Sequence, residues 1–162
     1  MNEIDLAERR SAETRAAIIR HPKEKKSKCS VQPLVGDPRF SFVRFDRETR
    51  YRADGFIVLA VGAPVLGPDD QGQPFLILDS TWRHLPAMRA NVRGEFVERA
   101  LPPELETAYP RVSKIAEDPS GGLASVEALY AALRRVGDRD DTLLDDYHWR
   151  AEFLDGCERI GL

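Results

Sequence analysis

Hydrophobic residues in the first half of the chain fall into short runs separated by polar turns. Residues 55–61 and 75–78 are almost continuously apolar, and residues 40–43 form a shorter run. Continuous runs are typical of strands that are covered on both faces, as in parallel sheets with flanking helices. Residues 67–72, rich in glycine and aspartate, form a loop between two of these strands. The pattern therefore predicts a mostly parallel sheet.

At the start of the chain the apolar residues have helical spacing. Leu6, Ala16 and Ile19 can share one face of a helix over residues 4–20, with arginines and glutamates around them. Pro22 ends this segment, because the residue before a proline is pushed out of the helical region. We therefore expect an amphipathic N-terminal helix within residues 1–20.

Helical spacing returns in the second half of the chain. Residues 125–136 predict a helix with an apolar stripe, a serine in its first turn and a glycine directly after it. Further helices are predicted within residues 82–97 and 142–157, and a strand at residues 111–115. The stripe of the helix at 125–136 consists of Val126, Leu129, Tyr130 and Leu133. These elements favour a single α/β domain over residues 1–162.

The composition restricts the class of protein. Of the 162 residues, 42% are hydrophobic and 31% are charged, as in ordinary globular domains. No apolar run approaches the roughly 20 residues of a membrane span, and the first residues lack the pattern of a signal peptide. Cys29 and Cys157 form neither a CxxC pair nor a disulfide framework, so we expect a cytoplasmic protein without a metal site. In the absence of a long exposed apolar stripe, we expect a monomer.

The charges are distributed unevenly, although the net charge is only −3. Basic residues concentrate in residues 21–30, which we call the basic arm, and arginines follow Trp82, whereas acidic residues concentrate between positions 138 and 158. A local basic face on an acidic protein is consistent with phosphate binding. A solvated charged surface is the alternative. The candidates for phosphate contact are Arg20, Lys23, Lys25, Lys26, Lys28, Arg83, Arg89 and Arg93.

The end of one predicted strand carries the most distinctive local sequence. Asp79 and Trp82 follow the apolar residues 75–78, which places a carboxylate and a large ring at the edge of the sheet. In open α/β sheets, ligands bind at the carboxyl ends of the strands. Trp82 as an ordinary core residue is the alternative. The three histidines, at positions 21, 84 and 148, are widely separated and indicate neither a metal site nor a catalytic triad.

Five short segments, taken in order, resemble a known superfamily. They are HPKE at residues 21–24 with Cys29 and Ser30, LDSTW at 78–82, YPR at 109–111, GLASVEA at 122–128 and LLDDYHW at 143–149. Together they are similar to the aminocarboxypropyltransferases that modify RNA. The first three look like the DTW-domain branch, which acts on tRNA uridines, and the last looks like the branch that acts on a pseudouridine of small-subunit ribosomal RNA. The chain lacks the N-terminal cysteine cluster of the first branch and the Ala-Asn-Pro segment of the second, which leaves the substrate RNA open.

This resemblance implies both a fold and a reaction. The fold would be a SPOUT-like α/β domain with a mostly parallel sheet, flanking helices and a C-terminal trefoil knot. The cofactor would be S-adenosylmethionine, whose 3-amino-3-carboxypropyl group is transferred to a uridine-type base in RNA, releasing methylthioadenosine. A tRNA is the first expectation and small-subunit rRNA the second. The basic residues named above would then be RNA-binding residues.

The resemblance also implies roles for individual residues, with Asp79 and Trp82 as the catalytic pair. Trp82 would wall off the methyl group, and its ring would attract the sulfonium through a cation–π contact. Asp79 would bind the ammonium of the transferred group, which favours an orienting role over base catalysis. Ser30, through its backbone N–H, and Ser125, through its hydroxyl, would hold the carboxylate. The remaining cofactor-binding residues would be Leu78, Leu101, Gly121, Gly122, Leu123 and Ala128.

Three other interpretations compete with this one. A methyltransferase of similar fold would leave S-adenosylhomocysteine as its product. A non-catalytic RNA-binding domain would keep the fold without binding S-adenosylmethionine. An unrelated α/β domain would use Trp82 as core, and replacing this residue by alanine would then destabilise the fold by several kcal/mol.

Overall fold

A computed structural model of the chain describes residues 1–25, 29–109 and 122–162, so that the strand expected at 111–115 lies outside the described residues. The strands are β1 (Asn2–Asp5), β2 (Ala16–Arg20), β3 (Phe40–Arg44), β4 (Thr49–Arg52), β5 (Ile57–Leu59), β6 (Phe75–Asp79), β7 (Val92–Arg93) and β8 (Val97–Arg99). The helices are α1 (Leu85–Ala90), α2 (Ser125–Arg135) and α3 (Arg150–Arg159), and short 3₁₀ turns lie at Gln32–Leu34, Pro68–Asp70 and Asp141–Leu144.

Five strands form the central sheet, in the order β3-β2-β6-β5-β8, and each neighbouring pair is parallel. A smaller sheet has the order β1-β4-β7 and is also parallel. The mostly parallel sheet predicted from the continuous apolar runs is therefore confirmed. Because β2 and β6 pair with Arg20 opposite Asp79, the last residues of these two strands lie side by side at one edge of the sheet.

Both faces of the central sheet are buried, each by a different layer. Side chains alternate along a strand, so Ala16 and Ile18 of β2 belong to one hydrophobic cluster, and Ala17 and Ile19 belong to another. The first cluster includes the apolar sides of α2 and α3, and the second includes side chains of the small sheet and α1. Burial on both faces is the physical reason for the continuous apolar runs in the sequence.

The N-terminal helix predicted for residues 1–20 is wrong. This part of the chain forms β1, a series of turns, and β2, which pairs with both β3 and β6. The residues from Ala16 to Ile19 are completely buried. A strand that is buried on both faces does not alternate between apolar and polar residues. Its apolar residues, taken together with Leu6, can therefore be mistaken for one face of a helix. The β-branched Ile18 and Ile19 favour the strand that forms.

Two further helices are shorter than predicted. Within residues 82–97 only α1 is helical, and β7 and β8 follow it. Gly94, with φ of +106°, turns the chain between these strands in a conformation that suits glycine. Residues 142–157 divide into the 3₁₀ turn at Asp141–Leu144 and α3. In both segments the helical spacing of apolar residues extends over residues that form turns and not helix.

The helix predicted at residues 125–136 is confirmed as α2. Its apolar stripe is buried in the first hydrophobic cluster, as the spacing indicated. Gly137 follows the helix with φ of +90°, the left-handed conformation that commonly ends a helix. At its amino end, α2 contacts the end of β6 through Ser125.

Candidate active site

Asp79 ends β6 as a buried carboxylate, only 5% exposed, with three polar neighbours. Its Oδ1 accepts a hydrogen bond of 2.5 Å from the Ser125 hydroxyl, and its Oδ2 accepts one of 3.0 Å from the Cys29 thiol. The Arg20 Nε atom lies 3.4 Å from Oδ2. The carboxylate at the strand end is thus the centre of a polar cluster built from β2, β6, the start of α2 and the segment before the first 3₁₀ turn.

Arg20, the last residue of β2, lies beside Asp79 and not on the exposed basic arm. Its side chain is 13% exposed. Its Nη1 donates a hydrogen bond of 2.7 Å to Gln32 Oε1, and its guanidinium carbon lies 5.1 Å from the centre of the Phe42 ring. Its other two nitrogens, Nε and Nη2, are buried without a hydrogen-bond partner in the described residues. The structure therefore makes Arg20 a member of the polar cluster, and the RNA contact expected of it does not fit this burial.

Ser30 and Ser125 are brought to the same place as Asp79, but their hydroxyls are already engaged. The Ser30 hydroxyl accepts a hydrogen bond of 3.1 Å from the Val126 N–H, in the first turn of α2. The Ser125 hydroxyl donates to Asp79. The proximity of these residues agrees with the predicted site, whereas their roles towards a cofactor stay predictions.

Glu127 fixes the first turn of α2 from inside the protein. Its fully buried carboxylate accepts hydrogen bonds from the Ala124 N–H at 2.8 Å, the Ala108 N–H at 2.8 Å and the Thr107 hydroxyl at 2.6 Å. A buried carboxylate is stable when several donors surround it. Glu127 therefore holds the start of α2 in the position from which Ser125 contacts the cluster.

Burial and charge shift the pKa values of two neighbours of Asp79. Burial, and next the hydrogen bond to Asp79, raise the pKa of the Cys29 thiol to about 11, so this thiol is a donor at neutral pH. Burial, and next the charge of Asp79, raise the pKa of Glu24 above its ordinary value. The carboxylates of Glu24 and Asp79 together favour binding of a cation at this site. Arg20 places a positive charge beside them.

His21 and His84 form a stacked pair beside this cluster, which was not expected from the sequence. Their ring centres are 4.0 Å apart and their planes differ by 9°. The His21 backbone N–H donates to the Asp79 carbonyl oxygen at 3.0 Å, which places the pair at the same sheet edge. Burial, followed by the charges of His84 and Lys23, lowers the pKa of His21. His21 follows β2 and His84 follows β6, and these two strands are paired. The sequence can therefore indicate that the histidines are neighbours only if residues 16–20 are recognised as a strand.

Trp82 lies in the turn between β6 and α1 and is half-buried. It belongs to neither hydrophobic cluster, and the Arg83 guanidinium carbon is 5.7 Å from its ring centre. The alternative in which Trp82 is an ordinary core residue does not fit this position. A partly exposed ring three residues after Asp79 is available to contact a ligand at the strand-end edge.

The other predicted cofactor residues do not all lie on one side of the sheet. Leu101 and Leu123 pack at the edge of the cluster that contains α2, whereas Leu78 packs against the opposite cluster. Ala128 is half-buried on α2, Gly122 precedes α2 with φ of +60°, and Gly121 lies outside the described residues. Leu123, just before α2, is thus close in sequence to Ser125, whereas the residues next to Leu101 lie near Arg135 at the other end of α2, and Leu78 packs on the opposite side.

The predicted RNA-binding residues have different environments. Arg89 is half-buried, forms an ion pair with Glu98 and lies over the Phe96 ring. The exposed members are Lys23, Lys25, Arg83 and Arg93, and Lys26 and Lys28 lie outside the described residues. The exposed residues are available for phosphate contact.

Two surface cavities lie away from the polar cluster. One, of about 280 Å³, is at the amino ends of β2 and β6 and is lined in part by Arg15, Phe75 and Asp138. The other, of about 350 Å³, is lined in part by Pro102 and Arg135. Neither includes Asp79, so the candidate site rests on its buried charges and hydrogen bonds and not on the size of a cavity.

In the described ranges, no three His, Cys, Asp or Glu side chains are grouped so that they could hold a metal ion. The helices of the same ranges are all too short or too polar to cross a membrane.

The fold is similar to that of a solved enzyme. The structure of the SAM-dependent rRNA:acp-transferase Tsr3 from Vulcanisaeta distributa superimposes with a TM-score of 0.67 and 24% sequence identity, covering 90% of this chain and 79% of the Tsr3 chain. This chain shares the fold of Tsr3. At this identity, the likeness to Tsr3 shows the fold alone. The sequence matches no protein-family model and no curated protein.

Proposed function

We propose that this protein transfers the 3-amino-3-carboxypropyl group of S-adenosylmethionine to a uridine-type base in RNA and releases methylthioadenosine. The observation that carries the proposal is the buried Asp79 at the carboxyl end of β6, held by Ser125 and Cys29 beside Arg20. This arrangement occurs in a chain that shares the fold of Tsr3, an enzyme that uses the same cofactor for the same kind of transfer.

The side chains present fit the charged end of S-adenosylmethionine. An ionised carboxylate has about four acceptor positions, and protein donors occupy one on each oxygen of Asp79. An ammonium can therefore still bind there. The half-buried ring of Trp82 suits a sulfonium, with an attraction of about 0.5–2 kcal/mol. Leu123, directly before α2, offers an apolar surface for the adenine.

Bound S-adenosylmethionine supplies an electrophilic carbon attached to a sulfonium sulfur. A uridine ring nitrogen forms a bond to this carbon as the carbon–sulfur bond breaks, the bonding pair stays on sulfur, and the proton of the nitrogen is lost to solvent. Three carbons are attached to the same sulfur, so the outcome depends on which one faces the base. We assign this positioning to Asp79 and Trp82. Both Asp79 oxygens already accept hydrogen bonds, which favours an orienting role for it.

Ribosomal RNA is the first candidate substrate and tRNA the second. The fold of Tsr3 and the segment LLDDYHW at residues 143–149 support ribosomal RNA, which reverses the order expected from the sequence alone. The segments HPKE at 21–24 and LDSTW at 78–82 keep tRNA as a candidate. In either RNA, the target base has to lie in a loop or be extruded from a helix to reach a buried carboxylate.

We also propose that the protein acts as a monomer and that its fold includes the C-terminal trefoil knot of SPOUT-like enzymes. The first point rests on the sequence, whose pattern predicts no long exposed apolar stripe. The second point rests on the resemblance to SPOUT-like enzymes, with which the parallel central sheet is compatible. A crystal structure that traces residues 109–122 would test the knot, because an unthreaded path would contradict it.

The reaction is tested by incubating the purified protein with S-adenosylmethionine and with RNA from cells that lack the gene. Ribosomal RNA and tRNA are supplied separately, and the small-molecule product is identified by mass spectrometry. We expect methylthioadenosine with one RNA and a matching adduct on a single nucleoside. S-adenosylhomocysteine would instead identify a methyltransferase, and no binding of S-adenosylmethionine would favour a non-catalytic RNA-binding domain. Asp79→Asn is the matched inactive control, since it keeps the shape of the side chain.

A further inference from the structure

One edge of the Arg20 guanidinium has no acceptor. Nε and Nη2 lie on the same edge of this planar group, and their N–H bonds point in nearly the same direction. Both nitrogens are buried and have no hydrogen-bond partner in the part of the chain that the structure describes. Buried polar groups are nearly always hydrogen-bonded, because leaving one without a partner costs free energy. An unpartnered donor pair at a candidate site therefore indicates a missing acceptor.

The rest of the Arg20 side chain is held in place. Nη1 donates to Gln32 Oε1 at 2.7 Å, and the guanidinium lies over the Phe42 ring. The backbone of Arg20 pairs with β6 opposite Asp79. The free edge is thus positioned by three independent contacts before any ligand arrives, which is the arrangement expected of a binding group.

Asp79 is near this edge but does not satisfy it. The distance of 3.4 Å from Nε to Oδ2 makes an ion pair without the geometry of a hydrogen bond. The two Asp79 oxygens accept from Ser125 and Cys29 instead. A planar anion with two oxygens is the ligand that matches two parallel N–H donors, because it accepts both hydrogen bonds at once.

We propose that Arg20 binds the carboxylate of the aminocarboxypropyl group while Asp79 binds the ammonium of the same group. This inference rests on the proposed function, and it names the residue that recognises the amino-acid end of the cofactor. Arg20 and Asp79 are opposite each other on neighbouring strands, so they present a positive and a negative charge side by side. An α-amino acid carries the complementary pair of charges on adjacent atoms.

Of the two serines expected to hold the carboxylate, Ser125 already donates its hydroxyl to Asp79. The Ser30 hydroxyl accepts from the Val126 N–H, and the Ser30 backbone N–H expected from the sequence is compatible with a carboxylate that Arg20 also binds. The amino end of α2 already faces the anionic Asp79, so its partial positive charge is not free for a second anion. An RNA phosphate is the other candidate anion, but an arginine side chain that is only 13% exposed favours a small ligand.

The test compares S-adenosylmethionine with its decarboxylated form, which keeps the sulfonium and the amine but lacks the carboxylate. Binding of both is measured by isothermal titration to the wild-type protein and to Arg20→Met. We expect Arg20→Met to weaken binding of S-adenosylmethionine about ten- to a hundred-fold, the usual effect of losing charge-assisted hydrogen bonds. Binding of the decarboxylated form should change less than about three-fold, since it has no carboxylate to lose.

Controls separate this role from folding. Arg44→Met removes an exposed arginine at the end of the adjacent strand and should leave both affinities unchanged. Arg20→Lys keeps the charge but not the two-donor edge, so it should restore only part of the affinity. If Arg20→Met does not fold, the wild-type protein alone still tests the idea, because equal affinity for the two ligands would overturn it.

The possible outcomes distinguish the two proposals. Equal weakening of both ligands by Arg20→Met would overturn the inference and make Arg20 a structural partner of Asp79. Unchanged binding of S-adenosylmethionine would overturn it as well. If the wild-type protein binds neither ligand, the proposed function fails and the inference fails with it.

Discussion

The Ser125 hydroxyl donates a hydrogen bond of 2.5 Å to Asp79, a residue 46 positions earlier in the chain. This contact joins the first turn of α2 to the end of β6. The amino end of a helix carries a partial positive charge. Because Asp79 lies close to the amino end of α2, this charge stabilises its carboxylate. The orientation of Asp79 is therefore sensitive to any change at the start of α2.

Replacing Ser125 by alanine should weaken cofactor binding more than it weakens the fold. The change removes one of the two protein hydrogen bonds to Asp79, and a hydrogen bond to a charged group is worth about 1.5–3 kcal/mol. We expect an affinity for S-adenosylmethionine about ten-fold lower by isothermal titration and a small change in melting temperature. Ser125→Thr keeps the hydroxyl and should bind like wild type. Equal loss in both variants would contradict a role for the hydroxyl.

Trp82→Ala should weaken cofactor binding by about two- to thirty-fold, the range that a cation–π attraction of about 0.5–2 kcal/mol gives, and leave the fold almost intact. Trp82 is half-buried and outside both hydrophobic clusters, so its removal creates no core cavity. A core tryptophan would cost about 3–5 kcal/mol on replacement by alanine, whereas we expect about 1 kcal/mol or less, measured by urea unfolding. Trp82→Phe keeps a ring and should retain part of the affinity. A large loss of stability would instead support the alternative in which Trp82 is a core residue.

Glu127→Gln should be among the most destabilising single changes near the site. The buried carboxylate accepts from three donors, whereas an amide offers one acceptor oxygen and brings an NH₂ group that faces a donor. We expect a loss of about 2–4 kcal/mol in the free energy of unfolding. The same substitution at the exposed Glu104 is the matched control and should change stability little. Similar effects at both positions would argue against the buried network.

The stability of the protein should decline at alkaline pH through its two buried thiols. Burial and contact with Asp79 raise the pKa of Cys29 to about 11, and burial raises that of Cys157 to about 11. Because an unfolded cysteine has a pKa near about 8.5, this contribution is fully present below that pH and is lost as the pH rises towards 11. Chemical unfolding from pH 7 to 10.5 should therefore show a shallower decline in Cys29→Ala than in wild type.

Cys157→Ala provides the comparison for that experiment. It should also make the alkaline decline shallower, but without affecting cofactor binding, because Cys157 does not contact Asp79. A decline as steep in both variants as in wild type would mean that other groups control the alkaline behaviour.

The exposed basic residues that follow β2 and β6 should determine how strongly RNA binding depends on salt. Lys23, Lys25 and Arg83 are exposed and form none of the ion pairs found among the described residues. Replacing all three by alanine should lower the slope of log affinity against log salt by about one for each RNA phosphate that is no longer neutralised. Filter binding between 50 and 300 mM salt, about the range where such slopes are measured, would check this. Arg159→Ala on α3 is the control, and a slope unchanged in the triple variant would place the RNA elsewhere.

Much of the central sheet could be predicted, because β3, β5 and β6 are short apolar runs bounded by turns. β2 could not, since a strand buried on both faces and a helical face share the same apolar spacing. The same error separated Arg20 from Asp79, because it placed Arg20 at the end of a helix and not at the end of the strand that pairs with β6.

The contacts of Cys29, His21 and His84 depend on which strands are neighbours, and neighbouring strands are not adjacent in sequence. The position of Asp79, by contrast, follows from a local pattern, an apolar run that ends in a carboxylate. Local patterns therefore located the centre of the site, and the long-range pairing of strands determined what surrounds it.

The uniformly parallel pairing of the described strands also bears on how this protein reaches its native state. A parallel pair cannot close through a hairpin, and β2, which pairs first with β3, is covered on its other edge only when residues as distant as Phe75 are available. Folding that depends on such distant contacts is slow. During synthesis, Ala16 to Ile19 therefore emerge long before β6, as an apolar strand of an incomplete sheet. Protein yield in cells should consequently depend more on temperature and chaperone supply than the stability of the finished molecule would indicate.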